Sequence, residues 1–131
     1  MVRLGLGIIC KDEVSEIERI LKDYSSYFGE IQITITHPDK RKELEEVCKK
    51  YNAVPSYFDW MFDFSKARNF NKAQFKKSEY YLRLDSDDAI VNPAKLIPLA
   101  EKAKEDGVSV VYTPYLYSKD EFGNCNASHY R

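Results

Sequence analysis

The chain has 131 residues, 44% hydrophobic and 31% charged, with a formal net charge of -1. That suits one domain with a sizeable core, and it is too nearly neutral to be drawn as a whole to nucleic acid or an anionic membrane. Cys10, Cys48 and Cys125 are too few and too scattered for a disulfide framework or a zinc site. No apolar run reaches membrane-spanning length and none reads as a signal peptide, so a cytoplasmic location is expected.

Arg3 to Cys10 carries Leu4, Leu6, Ile8 and Ile9 between glycines and reads as a first buried strand. Asp12 and Ser15 are candidate helix caps, Ser15 with Glu18 at capping-box spacing. Val14, Ile17, Leu21, Tyr24 and Phe28 then recur at helical spacing, with Gly29 as the expected stop. Ile31, Ile33 and Ile35 alternate with Gln32, Thr34 and Thr36 in a second strand. Pro38 suits a first helical turn, and Leu44, Val47, Cys48 and Tyr51 form the stripe that follows. Ala53 to Phe58 reads as a short third strand whose Pro55 belongs at an edge or an end.

Asp59 to Asp63 is an aromatic-rich loop. The next helix is expected from about Phe64 to Lys77, with Phe64, Ala67, Phe70 and Ala73 facing inward. Tyr80 to Leu84 is a fourth strand, ending abruptly in Asp85-Ser86-Asp87-Asp88. Pro93 opens another helix, with Leu96, Leu99, Ala100 and Ala103 inward and Asp106-Gly107 as its stop. Val108, Val110 and Tyr112 read as a fifth strand. Tyr115 to Tyr117 suggests a further one, and 122–124 a turn. The alternation predicts an α/β fold: a three-layer α/β/α sandwich with a mostly parallel sheet, in one domain spanning 1–131.

In such sheets ligands collect at the carboxyl ends of strands. Three chemistry-bearing groups fall there: Cys10 to Glu13, Thr36 to Asp39, and Asp85 to Asp88. Asp85 and Asp87 would share a face if the strand continued, and paired carboxylates repel unless a cation or proton separates them. Hard oxygen donors suit magnesium, manganese or calcium. Arg68, on the helix before the acid strand, adds a planar cation suited to a phosphate.

The succession Ile8-Ile9-Cys10-Lys11-Asp12-Glu13, then Phe58-Asp59-Trp60 through Asp63-Phe64-Ser65-Lys66-Ala67-Arg68-Asn69, then Leu82-Arg83-Leu84-Asp85-Ser86-Asp87-Asp88 resembles the family 2 glycosyltransferases. The D-x-D triplet is a weak signal alone; the run from Asp63 to Asn69 placed before it is more specific. The resemblance implies the nucleotide-diphospho-sugar transferase fold, GT-A. It also implies Mn2+ or Mg2+ held by Asp87 and Asp85, and donor contacts from Cys10, Lys11, Arg68, Asp85 and Ser86. The partners implied are a nucleotide-diphospho-sugar donor and a saccharide, lipid or protein acceptor. The reaction implied is attack of an acceptor hydroxyl on the anomeric carbon, with nucleoside diphosphate leaving.

Two departures stand out. The second strand ends Ile35-Thr36-His37, where relatives often carry a base-contacting aspartate. The acceptor half and its general base lie downstream in the family, and Asp88, Asp120, Glu121 and His129 match no such base. The chain is therefore expected to be truncated, to self-associate over uncovered apolar surface, and to have no assignable catalytic residue. Two other readings keep the sheet: a nucleotidyltransferase, which shares the metal as well, and a binding or assembly domain without turnover. A dehalogenase-type phosphatase would place its acids after the first strand.

Overall fold

A computed structural model describes residues 3–109 and the backbone of 114–119 and 125–130. The chain divides into two compact units, 1–101 and 102–131. The first holds strands β1 (Leu4–Cys10), β2 (Glu30–Ile35), β3 (Val54–Tyr57) and β4 (Tyr80–Leu84), with helices α1 (Val14–Tyr24), α2 (Arg41–Lys50) and α3 (Phe64–Ala73) between them. All pairings are parallel and the order is β3-β2-β1-β4. The chain thus winds outward from β1 through β2 to β3, then returns to the other side of β1. Right-handed crossovers in opposite directions put their helices on opposite faces. The sheet is accordingly covered by α1 and α2 on one side and by α3 on the other.

The two faces are built differently. Leu6, Ile8, Ile17, Ile20, Leu21, Ile33, Ile35 and Leu44 are fully buried on the α1/α2 side, where Ala100 also joins the core. At about 25 cal/mol per Å² this face carries most of the hydrophobic stabilisation. The α3 side is polar and close-fitting. Gly5 and Gly7 of β1 face it, and Asn71 of α3 donates through Nδ2 to Thr34 Oγ1 at 2.8 Å and the Gln32 carbonyl at 3.1 Å. Phe75 stacks on Tyr81 with ring centroids 4.9 Å apart.

Several local expectations are corrected. The helix α1 starts at Val14 after Glu13, and Ser15 bonds Glu16 in place of any capping box with Glu18. It ends at Tyr24, not near Gly29. A single 3-10 turn follows, and Phe28 reaches the core from extended backbone. Pro38 lies in a turn, and α2 begins at Arg41. In α3 the buried residues are Ala67 and Asn71, whereas Phe64 is 63% exposed and Ala73 is also exposed. Pro55 does sit in an edge strand.

The helix α4 (Leu96–Glu105) follows one 3-10 turn at Pro93–Lys95. Gly107 closes it at φ +71, with its N–H on the Lys104 carbonyl and that of Val108 on Ala103, a left-handed cap that a Cβ would disfavour. In the second unit β5 (Pro114–Lys119) pairs antiparallel with β6 (Cys125–Tyr130). Tyr115 to Tyr117 are in β5. Of the expected fifth strand, Val108 is outside any strand, and Val110 and Tyr112 lie outside the described residues, as does 122–124.

Glu30, at the start of β2, fastens the connection into β4. Its carboxylate accepts from the backbone N–H groups of Lys76, Lys77 and Ser78 and from the Ser78 hydroxyl, at 2.8–3.0 Å. Burial alone would raise its pKa, but these hydrogen bonds outweigh that and lower it from 4.5 to about 2. A depressed carboxylate contributes stability that is complete above the unfolded value and is lost as pH falls through the folded one. Unfolding free energy should therefore drop between pH 4.5 and about 2, and Glu30→Gln should flatten that drop in urea titrations run at several pH values. Parallel pH profiles for parent and variant would count against the clasp.

Candidate functional site

The strand β4 ends at the buried Leu84, and the next four residues form a tight turn. Asp85 N–H donates to Asp88 Oδ2 at 3.0 Å, and Asp88 N–H donates back to the Asp85 carbonyl at 3.0 Å. Asp88 is consequently buried, while Asp85 and Asp87 are exposed. The helix α1 braces this turn from below. Arg19 Nη2 donates to the carbonyls of Asp88 at 2.8 Å and Ser86 at 3.2 Å. Tyr24 Oη accepts from Ile90 N–H at 3.0 Å.

Carboxylate oxygens of Asp85, Asp87 and Asp88 lie within 4.8 Å of one another. The turn, not a continued strand, gathers them. The donor set fits a hard divalent cation: magnesium and manganese commonly take one or two carboxylates and leave positions for water and phosphate. Asp85 and Asp87 would be those ligands. Asp88 has a different part, since its Oδ2 already holds the turn through the Asp85 amide.

A cavity of about 430 Å³ opens at the carboxyl ends of β1 and β2. Its walls are Ile9, Cys10, Lys11, Glu13, Thr36, His37, Trp60, Phe62 and Phe64. Cys10 is buried, and burial first, then the nearby charges of Glu13, Cys48 and Asp12, push its thiol far above the ordinary range. It is therefore a neutral wall, not a nucleophile. Lys11 is exposed, in a loop curled around Glu13, whose Oε2 accepts from the N–H groups of Lys11 at 2.6 Å and Asp12 at 3.0 Å.

Trp60 packs edge-on against Phe64 at 4.9 Å and beside His37 at 6.4 Å. Phe62 is 89% exposed at φ +56, a conformation rare for a bulky side chain. Asp63 then caps α3, its Oδ1 accepting from Lys66 N–H at 3.2 Å. The cap starts the helix at the sheet's carboxyl edge. One turn on, the exposed Arg68 guanidinium lies 5.9 Å from the Phe64 ring centroid.

Cys10 and Lys11 thus line the cavity together, and Arg68 stands against Phe64 of its wall. Asp85, Ser86 and Asp87 lie outside the lining, one strand over. Because Ile8 pairs with Leu84, Asp85 comes level with Ile9, a cavity residue, at the spacing of neighbouring strands. Sequence reasoning placed Glu13, Thr36 and His37 among the groups at strand ends without giving them a role, and it read Trp60 and Phe62 only as part of an aromatic-rich loop. The density of aromatic side chains from Phe58 to Phe64 was the available signal.

No protein-family profile and no curated protein sequence matches the chain. Among solved structures, it is similar to the crystal structure of S. aureus TarS residues 1–349, at TM-score 0.60 and 19% identity, over 88% of this chain and 35% of that one. The chain thus spans about a third of the length of that structure. At this identity the likeness concerns the fold. The fold is α/β with a parallel sheet, similar to that of the TarS structure.

Proposed function

We propose that this chain is the donor-binding part of a glycosyltransferase of the family 2 type, taking a nucleotide-diphospho-sugar and passing its sugar to an acceptor hydroxyl. One observation carries the reading: a braced turn of acids at the end of β4 stands one strand from an aromatic-walled cavity at the end of β1. These two strands flank the point where the chain reverses direction across the sheet, the usual ligand position in such folds. A cavity of about 430 Å³ is within the range that holds a nucleoside-sized ligand.

In this reading the base lies among Cys10, His37 and Trp60, and the diphosphate extends toward Asp85, Ser86 and Asp87. A bound Mn2+ or Mg2+ would neutralise the diphosphate as it leaves. Asp85 and Asp87 hold that ion, and Arg68 adds a fixed positive charge on the α3 side. Lys11 offers a second cation at the cavity mouth. The whole 1–131 chain acts as one donor-binding domain, and the acceptor-activating base is left unassigned.

The test is the product released with Mn2+ present. Sugar transfer releases nucleoside diphosphate from a nucleotide-sugar, and this is the expected result. Release of pyrophosphate from a nucleoside triphosphate would instead make the protein a nucleotidyltransferase. Thermal stabilisation by nucleoside diphosphate with no release of either product would leave a binding domain without turnover. No stabilisation by any nucleotide would sink the donor site altogether.

A further inference from the structure

The loop into α3 holds three large apolar side chains in water: Met61 is 55% exposed, Phe62 89% and Phe64 63%. Trp60 joins the two phenyl rings into one patch, its ring 6.1 Å from that of Phe62 and 4.9 Å from that of Phe64. Phe62 also keeps a left-handed backbone, at φ +56, a conformation costly for a bulky side chain that its exposed ring does not offset by packing. A contiguous apolar patch of this kind marks an interaction surface.

The charge beside the patch says what kind of partner it fits. From Phe64 to Ser78 there are five cations and no acid: Lys66, Arg68, Lys72, Lys76 and Lys77. All five are exposed, and those on α3 lie off the face that buries Ala67 and Asn71. Among the described residues no ion pair engages any of them. Glu30, which touches this segment, points its carboxylate at backbone amides and the Ser78 hydroxyl. Asp59 and Asp63 of the loop still leave a surplus of three positive charges over 59–78.

Lysine is depleted from protein–protein interfaces, so four lysines among five cations argue against a folded partner. Exposed rings flanked by lysines, whose long apolar stems carry the ammonium outward, fit the boundary between acyl chains and anionic headgroups. Salt screens charges beyond about 8 Å, so a bilayer meets this face and not the chain's net charge of -1. We propose that the 59–63 loop and α3 dock the protein on an anionic membrane, with Met61, Phe62 and Phe64 in the acyl boundary and the lysines among the headgroups. Because Phe62 and Phe64 also wall the cavity, its mouth then opens at the bilayer surface. The inference does not rest on the donor-site reading, and its test uses no nucleotide.

Trp60 is the chain's single tryptophan and reports on the patch directly. The full chain is titrated with vesicles of phosphatidylcholine and phosphatidylglycerol, and with vesicles of phosphatidylcholine alone. Binding should need the anionic lipid, shift Trp60 emission to the blue, and bring it within reach of quenching by lipids brominated on the acyl chain. Phe62→Ser should weaken binding at least about tenfold. Lys66→Gln combined with Lys72→Gln should weaken it about thirtyfold. These side chains are exposed, so both variants should melt with the parent. No binding to the anionic vesicles, or undiminished binding by either variant, overturns the inference. Binding without bromine quenching overturns it too, by placing the contact elsewhere. A Trp60 shift that follows protein concentration without lipid would give the patch to a second copy of the chain. Binding of single-stranded DNA in place of vesicles, lost in the same variants, would give it to nucleic acid; either result overturns the membrane assignment.

Discussion

Asp87→Ala should abolish the metal-dependent part of nucleotide binding and leave the fold intact. A ligand at 100 times its dissociation constant stabilises its protein by about 2.7 kcal/mol. The parent should show that gain with Mn2+ and a nucleoside diphosphate, read as a rise in melting temperature. The variant should lose the part of it that requires Mn2+. Its own stability should change by no more than about 0.5 kcal/mol, because Asp87 is exposed and removing it leaves no buried group unpaired. Asp88→Ala is the contrasting case. It strips the Asp85 amide of its carboxylate partner at a buried position, so it should lower stability with no ligand present, by about 1–3 kcal/mol. If Asp87→Ala keeps the full Mn2+-dependent shift, the acids are not the metal ligands.

Gly7→Ala should be strongly destabilising. A Cβ there would lie 2.4 Å from Asn71 Oδ1 and 3.2–3.3 Å from the Phe75 ring. Neither neighbour has room to yield. Asn71 is 1% exposed and tied by Nδ2 to Thr34 and Gln32, and Phe75 is stacked on Tyr81. Overpacking costs about 1–3 kcal/mol, and displacing Asn71 would leave Thr34 and a strand carbonyl short of a donor, about 1–3 kcal/mol more. An expected loss of about 3 kcal/mol is a large share of a small domain's stability. Urea unfolding measures it, and a loss below about 0.5 kcal/mol would show that α3 moves freely on the sheet.

The same helix shows where sequence reading stops. The four strands of the sheet were legible because alternating or continuous apolar runs are local signals. Pro55 narrowed the third strand to an edge or an end, and it is an edge strand. The face of α3 was only partly legible: Ala67 is buried as expected, but the other buried residue, Asn71, is polar. Asn71 is buried by partners on β1 and β2, which no spacing within Lys66 to Lys77 reveals. Glu30 is a similar case: its amide partners lie in the 76–78 turn, and a carboxylate at a strand start looks solvated in sequence. At the site, the acid triplet was legible as a motif, but the division of labour within it was not. Which acid is buried depends on a four-residue turn and on Arg19 from a distant helix. Asp63 had its own hidden part: it belongs to the run that carried the family resemblance, and it caps the helix that bears Arg68.

The brace under the acids has a consequence in entropy. A cation that must first order a floppy loop spends part of its binding free energy on the backbone, about 1–2 kcal/mol for each residue fixed. Here the turn is closed on itself, and Arg19 and Tyr24 of α1 hold Ser86, Asp88 and Ile90 by their backbones. That ordering is part of the fold itself, fixed by the seating of α1 on the sheet. Only two exposed side chains, Asp85 and Asp87, would be left to settle around the ion. The affinity of an ion held there would depend on how firmly α1 is seated, and a mutation in the buried face of that helix should weaken such binding without touching a ligand.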